Sequence, residues 1–582
     1  MQSLLSLKKY FLRYKTRLAW GFVFILLSNL FAVYVPILLK DSINSLEKGV
    51  EHSLLFRYAI LIVAASLFSG IFRFLIRQTI IVVSRLIEYD LRQDFWQHIQ
   101  KLSLRYFQNT STGNIMAHAT NDINAVRTFV GPAVMYSVDT GIRLIIVLII
   151  MFSLSTSLTF YSLIPLPLLS YLVYKIGKKI HIKFNAIQAK FADLTTKAQE
   201  NFSGIRVIKS YVREENEISE WKTESNDYLK KNMDMIRLQS LFQPILYLIT
   251  GTSIILVIWL GGIKVIKGEL NLGDISAFII YLSMLIWPMI AFGWVTNIVQ
   301  QAAASMKRLN SMLSEKYEIS DNGITDKTIT DIRGEIELRN VSFRYGPNLT
   351  DVLQNINIKI PAGSTIAIVG KTGVGKTSLI NLIPRLYDVS SGEVLIDGKN
   401  VKEIPINVLR KRVGFVPQET FLFSDTLANN ILYGLDESDF NVVENTAKIS
   451  QLSKDVSTFP KQFETILGER GITLSGGQKQ RTSLARALAV DPSILILDDS
   501  FSAVDTHTEE EILKNLKEFM KDRTSIIISH RISTVKDADK IFVMENGMIA
   551  EQGTHEELVE YGGIYADLHF KQLLEKELED IN

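Results

Sequence analysis

Six apolar stretches, each near or above twenty residues, occupy the first half of the sequence at roughly 18–39, 54–81, 130–152, 158–176, 241–266 and 275–299. About twenty helical residues cross the hydrocarbon core of a bilayer, and lipid leaves the backbone no partner but itself. This half therefore reads as an all-α, six-helix transmembrane domain. Only SLSTS separates the third run from the fourth, whereas the links from the second to the third and from the fourth to the fifth are long, polar and helix-compatible. Lys8, Lys9, Arg13, Lys15 and Arg17 precede the first run, and Lys175, Lys178, Lys179, Lys183, Lys209 and Arg213 crowd the later long link. That bias puts both termini on the cytoplasmic side. The first run is too long for the apolar region of a signal peptide, and no small-residue cleavage site follows it. Just before it, LLSLKKYFLRYK fits an interfacial helix or a simple positive flank.

Charges inside such spans are costly, and Arg73, Arg77, Asp139 and Arg143 fall in or near spans two and three. Asp139 and Arg143 are four residues apart, so they can pair on one helix face; a role in a substrate cavity stays open. Pro165 and Pro167 in span four and Pro288 in span six remove backbone donors and are expected to bend their helices.

The net charge of +2 gives no reason to expect a nucleic-acid partner. The absence of cysteine excludes disulfides, thiolate metal sites and a cysteine nucleophile. Hydropathy falls near residue 320, giving a membrane domain over 1–320 and a second domain over 321–582. There, strand-like STIAIVG runs into GKTGVGKT and then helix-compatible SLINLI. This is the strand, glycine loop and helix order of a phosphate cradle. Glycines let backbone N–H groups converge on phosphate oxygens, Lys376 neutralises their charge and Thr377 offers a hydroxyl to Mg²⁺. In SILILDDS, four apolar residues precede Asp498, whose carboxylate would emerge at the C-terminal end of a buried strand and hold Mg²⁺ through water. The second domain is thus an ATP-binding α/β P-loop domain.

Between these motifs lies LSGGQKQRTSLARAL, and here the sequence resembles the ABC transporter superfamily. VSFRY, VGFVPQ, ILGERG, SAVD and SIIISHR agree with the family in order, and TGNIMAHATNDI, ENFSGIRVIKSY and KGELNLGDISAFIIY look like half-size drug and lipid exporters. The resemblance implies that Tyr345 stacks on adenine and that Gly370, Lys371, Thr372, Gly373, Val374, Gly375, Lys376, Thr377 and Ser378 hold the phosphates and Mg²⁺. It gives Gln418 the metal and the γ-phosphate, His530 the γ-phosphate and attacking water, and Asp505 communication between two sites. Ser475, Gly476, Gly477 and Gln478 would hold the ATP of a second half-transporter subunit, so a dimer is implied. Turns near 105–113 and 200–210 would rest on the nucleotide domains. The implied function is ATP-driven export of small amphipathic substrates, drugs or lipids, by alternating access from a multi-pass protein of the bacterial inner membrane, surrounded by membrane lipids. A dedicated lipid flippase and an ATP-gated channel are the competing readings.

One position departs from the family pattern. The residue after the Walker B aspartate is usually glutamate, the general base for water, and here it is Asp499. Its carboxylate is retracted by about 1.5 Å, whereas a base must approach its water to about 2.6–3.2 Å. Slow hydrolysis at this site and a heterodimer with one active and one degenerate site are expected, a homodimer being the alternative.

Overall fold

The computed structural model describes residues 2–49, 51–437, 439–468, 471 and 473–581; Glu469 and Arg470 of the ILGERG phrase lie outside them. The chain divides into two compact units, Met1–Gln100 with Thr112–Glu315, and Lys101–Ser111 with Lys316–Asn582.

Among the described residues of the first unit six helices are long and apolar enough to cross a membrane: Lys15–Glu47, His52–Ile99, Thr112–Leu154, Thr156–Ser203, Glu214–Ile266 and Leu272–Leu313. At 1.5 Å per residue the longer ones reach roughly 70 Å, more than twice the hydrocarbon thickness, so they continue well past their apolar segments. Small residues close the first helix onto the second. The Ser28 and Ser69 hydroxyls each donate to the other's backbone carbonyl at 3.1 Å, and a Cβ on Gly21 would lie 2.5 Å from Ile80. The expected Asp139–Arg143 pair forms at 3.1 Å. Asn29, from the first helix, completes it by donating to Asp139 Oδ1 and accepting from Arg143 Nε, both at 2.8 Å. Within the fourth span the helical ladder is interrupted at the expected place: Ile164, itself in helical conformation (φ −51°, ψ −42°), separates Thr156–Leu163 from Pro165–Ser203, and Pro165, which has no N–H to give, takes the first position of the second segment. Pro288 lies inside its helix.

The described residues of the second unit form ten strands: β1 (Ile336–Phe343), β2 (Leu353–Ile360), β3 (Thr365–Val369), β4 (Ser391–Ile396), β5 (Lys399–Asn400), β6 (Val413–Val416), β7 (Ile494–Asp498), β8 (Thr524–Ile528), β9 (Lys540–Glu545) and β10 (Met548–Gly553). An antiparallel sheet has the order β2-β1-β4-β5, and a six-stranded sheet the order β10-β9-β3-β8-β7-β6. In the larger sheet β9, β3, β8, β7 and β6 run parallel and β10 is antiparallel at the edge. Every residue of β7 and β8 is buried, which is why both read as unbroken apolar runs rather than alternating ones. The short helix Leu104–Asn109 belongs to this unit, tied to it by the Ser103 hydroxyl, which donates to Glu318 at 2.8 Å, and by an Arg105–Glu318 ion pair at 3.2 Å.

Candidate functional site

Four parallel strands deliver the site at their C-terminal ends, where open α/β sheets bind ligands. β3 runs into the glycine loop, β7 ends on Asp498, and Gln418 and His530 each follow two residues after β6 and β8. These ends surround a cleft of about 340 Å³ lined by Tyr345, Val352, Thr372, Gly373, Gly375, Lys376, Thr377, Ser378, Gln418, Asp498, Asp499, Ile528 and His530.

The loop's shape depends on glycine. Gly375 has φ +102°, and a Cβ there would lie 2.9 Å from Leu353 Cδ2 and 3.1 Å from the Val352 carbonyl. Gly370 and Lys371 contribute their carbonyls, which accept from Lys376 Nζ at 2.7 and 2.9 Å, and Val374 packs against the core. Lys376 is a buried ammonium hydrogen-bonded to these two backbone oxygens, and its burial pushes its pKa below the ordinary lysine range against the pull of Asp498 and Asp499. Asp498 is 2% exposed and accepts from the Thr377 hydroxyl at 2.9 Å. Its burial pushes its pKa up, with the Thr377 hydrogen bond opposing. A buried ammonium bonded to backbone carbonyls, next to a buried carboxylate and a hydroxyl, fits phosphate oxygens and a hard divalent cation. Among the described residues no three His, Asp or Glu side chains gather for a metal. That donor set suits Mg²⁺, which binds one or two carboxylates together with a nucleotide's phosphates.

Tyr345 meets Phe343 and Tyr387 edge-on, with ring centroids 4.9 and 5.4 Å away, and its hydroxyl shares a 2.8 Å hydrogen bond with Ser378 Oγ. Asp499 adopts a left-handed backbone, φ +45°, and donates its N–H to the Ile528 carbonyl at 2.9 Å.

Ser475, Gly476, Gly477 and Gln478 do not line this cleft. They open the helix Gly476–Ala489 through a capping box: Ser475 Oγ accepts from the Gln478 N–H at 3.3 Å, and Gln478 Oε1 accepts from the Ser475 N–H at 3.0 Å. The Ser475 N–H is therefore taken, whereas its hydroxyl proton and the N–H groups of Gly476 and Gly477 have no partner within the helix. Two further residues, Asp455 and Gln480, organise this turn. Asp455 accepts from Gln478 Nε2 at 3.0 Å and pairs with Arg481 at 2.7 Å. Gln480 accepts from the Ala503 N–H at 3.0 Å and donates to Ser502 Oγ at 2.9 Å, joining the helix to SAVD. Nothing in the sequence alone marks Asp455, which lies 20 residues before the motif. Asp505 caps the helix Thr506–Phe519 through Thr508.

In the first unit a second cleft, of about 200 Å³, lies among the spans and brings Arg73, Arg77, Asp139 and Arg143 together with Ile25, Ile76, Met135, Tyr136 and Trp287. Among the described residues neither Arg73 nor Arg77 forms an ion pair.

Six helices long and apolar enough to cross a membrane and a P-loop α/β unit whose cleft carries a lysine, a buried carboxylate and a histidine define an ATP-dependent membrane transporter. The models for the ABC transporter transmembrane region and for the ABC transporter match residues 18–289 and 353–502. The chain is 37% identical to the probable multidrug resistance ABC transporter ATP-binding/permease protein YheI of Bacillus subtilis, over 97% of this chain and 96% of that protein. It is 36% identical to the ATP-dependent lipid A-core flippase of Syntrophus aciditrophicus, over 84% of this chain and 80% of that one. The structure of a bacterial Atm1-family ABC exporter with ATP bound superposes with a TM-score of 0.79 at 26% identity, covering 96% of this chain and 98% of that one. The chain belongs to the ABC transporter family, as a half-size exporter that couples ATP hydrolysis to transport and functions as a dimer.

Proposed function

We propose that this chain is the degenerate-site subunit of a heterodimeric exporter of amphipathic compounds, with both termini and the nucleotide unit in the cytoplasm. In this reading Tyr345 stacks on adenine, the loop from Gly370 to Ser378 wraps the phosphates, and Lys376 neutralises their charge. Thr377, Gln418 and Asp498 would hold Mg²⁺, which when bound neutralises phosphate charge. His530 orients the γ-phosphate and water, and Asp499 accepts the water's proton poorly because its carboxylate is one methylene short. The observation that carries the reading is Asp499, since general-base catalysis is typically worth about 10²–10⁴ in rate. ATPase of the purified chain alone is expected to be slow and to rise at least tenfold in Asp499→Glu. Fast, substrate-stimulated hydrolysis by the unmodified chain, unchanged by Asp499→Glu, would return a homodimer to first place. The short helix Ile205–Ser210 supports a partner, because Phe202, Val207, Tyr211 and Val212 around it are all more than 60% exposed.

The intramembrane cleft narrows the substrate. Three guanidiniums against one carboxylate, beside apolar walls, suit an amphipath with an anionic head group. Anionic amphipaths should stimulate ATPase, and Arg73→Ala with Arg77→Ala should abolish that stimulation. Equal stimulation by cationic amphipaths in wild type and double variant would dismiss it.

A further inference from the structure

The last helix of the chain reaches back to the loop that carries His530. Gln572, on the helix Ile564–Ile581, donates from Nε2 to the His530 carbonyl at 2.5 Å and accepts from the Ile532 N–H at Oε1 at 2.8 Å. One side-chain amide thus pairs with the two peptide groups that flank Arg531, as a neighbouring strand would, and Arg531 has the extended backbone such pairing requires, φ −92° and ψ 122°. The Ile532 N–H is the first of a four-residue helix, Ile532–Val535, and has no partner within it, so Gln572 meets a demand the short helix cannot meet itself.

The helix bearing Gln572 is fixed in place. Tyr565 is fully buried, Leu568 packs on the same core, and both Glu551 carboxylate oxygens accept from the first-turn N–H groups of Ile564 and Tyr565. Residues 565, 568 and 572 fall at i, i+3 and i+7, on one face. Gln572 is therefore the polar end of an anchored apolar stripe. On the other side, Arg531 forms an ion pair with buried Glu509, whose second oxygen accepts from the Thr534 hydroxyl at 2.6 Å. Glu509 lies on the helix that Asp505 caps. The backbone after His530 is thus gripped from two directions, while His530 itself lines the cleft.

We propose that Gln572 is a positioning residue for His530: by fixing the two peptides beyond it, Gln572 holds the imidazole where it meets the γ-phosphate. This rests on the role given to His530 above. The test uses the full-length chain, unmodified and with Asp499→Glu. Gln572→Met keeps the volume and the helix propensity and removes both hydrogen bonds; Gln572→Glu keeps the acceptor and loses the donor.

Without nucleotide, the Ile532 amide should exchange with solvent roughly 3- to 10-fold faster in Gln572→Met and at an intermediate rate in Gln572→Glu, scaled to the net worth of such bonds. With ATP, kcat should fall about 5- to 50-fold in Gln572→Met while the ATP KM and the apparent melting temperature stay near wild type, with Gln572→Glu partly restored. His530→Ala is the control. If His530→Ala leaves kcat unchanged, the role of His530 itself fails and the proposal falls with it. If His530→Ala is inactive but Gln572→Met has wild-type kcat, or loses kcat and ATP affinity in proportion with a lowered melting temperature, the positioning role is overturned and the His530 role stands.

Discussion

Two buried charges in the nucleotide cleft are held in states that folding alone would not choose. Burial raises the pKa of Asp498 and lowers that of Lys376, so each charged form is disfavoured until a ligand of complementary charge arrives. Because the Asp498 pKa is higher folded than unfolded, the native state binds the extra proton between the two values. Stability is therefore lost as pH rises through that window, and above both values the full cost is present. Asp498→Asn removes the charge and keeps an oxygen for the Thr377 hydroxyl. The nucleotide-free protein should melt higher in Asp498→Asn, by the equivalent of about 0.5–2 kcal/mol, with the gap widening as pH is raised through the window, while Mg·ATP ceases to stabilise it. A lower melting temperature above pH 7 would contradict the strain. At this scale the sequence was legible where chemistry is contiguous: the glycine loop, Asp498, Asp499 and His530 all lie at strand ends that apolar runs announce. Val352, Asp455 and Gln480 were not, because what places them at or near the functional motifs is tertiary contact.

Among elements, the six spans could be read because their period matters less than their length and lack of charge. Not all of the interruptions could. The π turns at Arg77–Ile81 and His118–Asp122 contain neither glycine nor proline to announce them, and only Phe129–Ala133, with Gly131 and Pro132, carries a residue mark of its interruption. Asn29 shows the same limit, since one polar residue in an apolar run gives no hint that it will bridge Asp139 and Arg143 across two helices. Asn29→Leu would leave one carboxylate oxygen and one guanidinium nitrogen without that partner where the pair is largely withdrawn from solvent. Each such group costs about 1–3 kcal/mol, so the detergent-solubilised variant should melt several degrees lower with its helix content unchanged. Unaltered melting would mean that water or lipid replaces Asn29 without loss.

For the whole molecule, the decisive fact is that the signature turn does not line the cleft of its own unit. Its Ser475 hydroxyl proton and the Gly476 and Gly477 N–H groups stand without intrahelical partners at the start of a 14-residue helix, in a turn that Asp455 and Gln480 brace, and in the proposed reading they take an anion. In the proposed assembly two chains pair head to tail, and each nucleotide takes a cleft from one subunit and this turn from the other. That arrangement would separate binding from hydrolysis. In this reading Ser475→Arg fills the site offered to the partner's nucleotide and leaves the chain's own cleft unchanged. Its solubilised single chain should bind ATP within about twofold of wild type, whereas Lys376→Ala should lose that binding. In the assembled transporter the ATPase should fall by more than tenfold in Ser475→Arg, on the scale of removing oxyanion donors, about 10²–10³. If Ser475→Arg weakens ATP binding by the solitary chain as much as Lys376→Ala does, the signature serves its own cleft and the shared site is refuted.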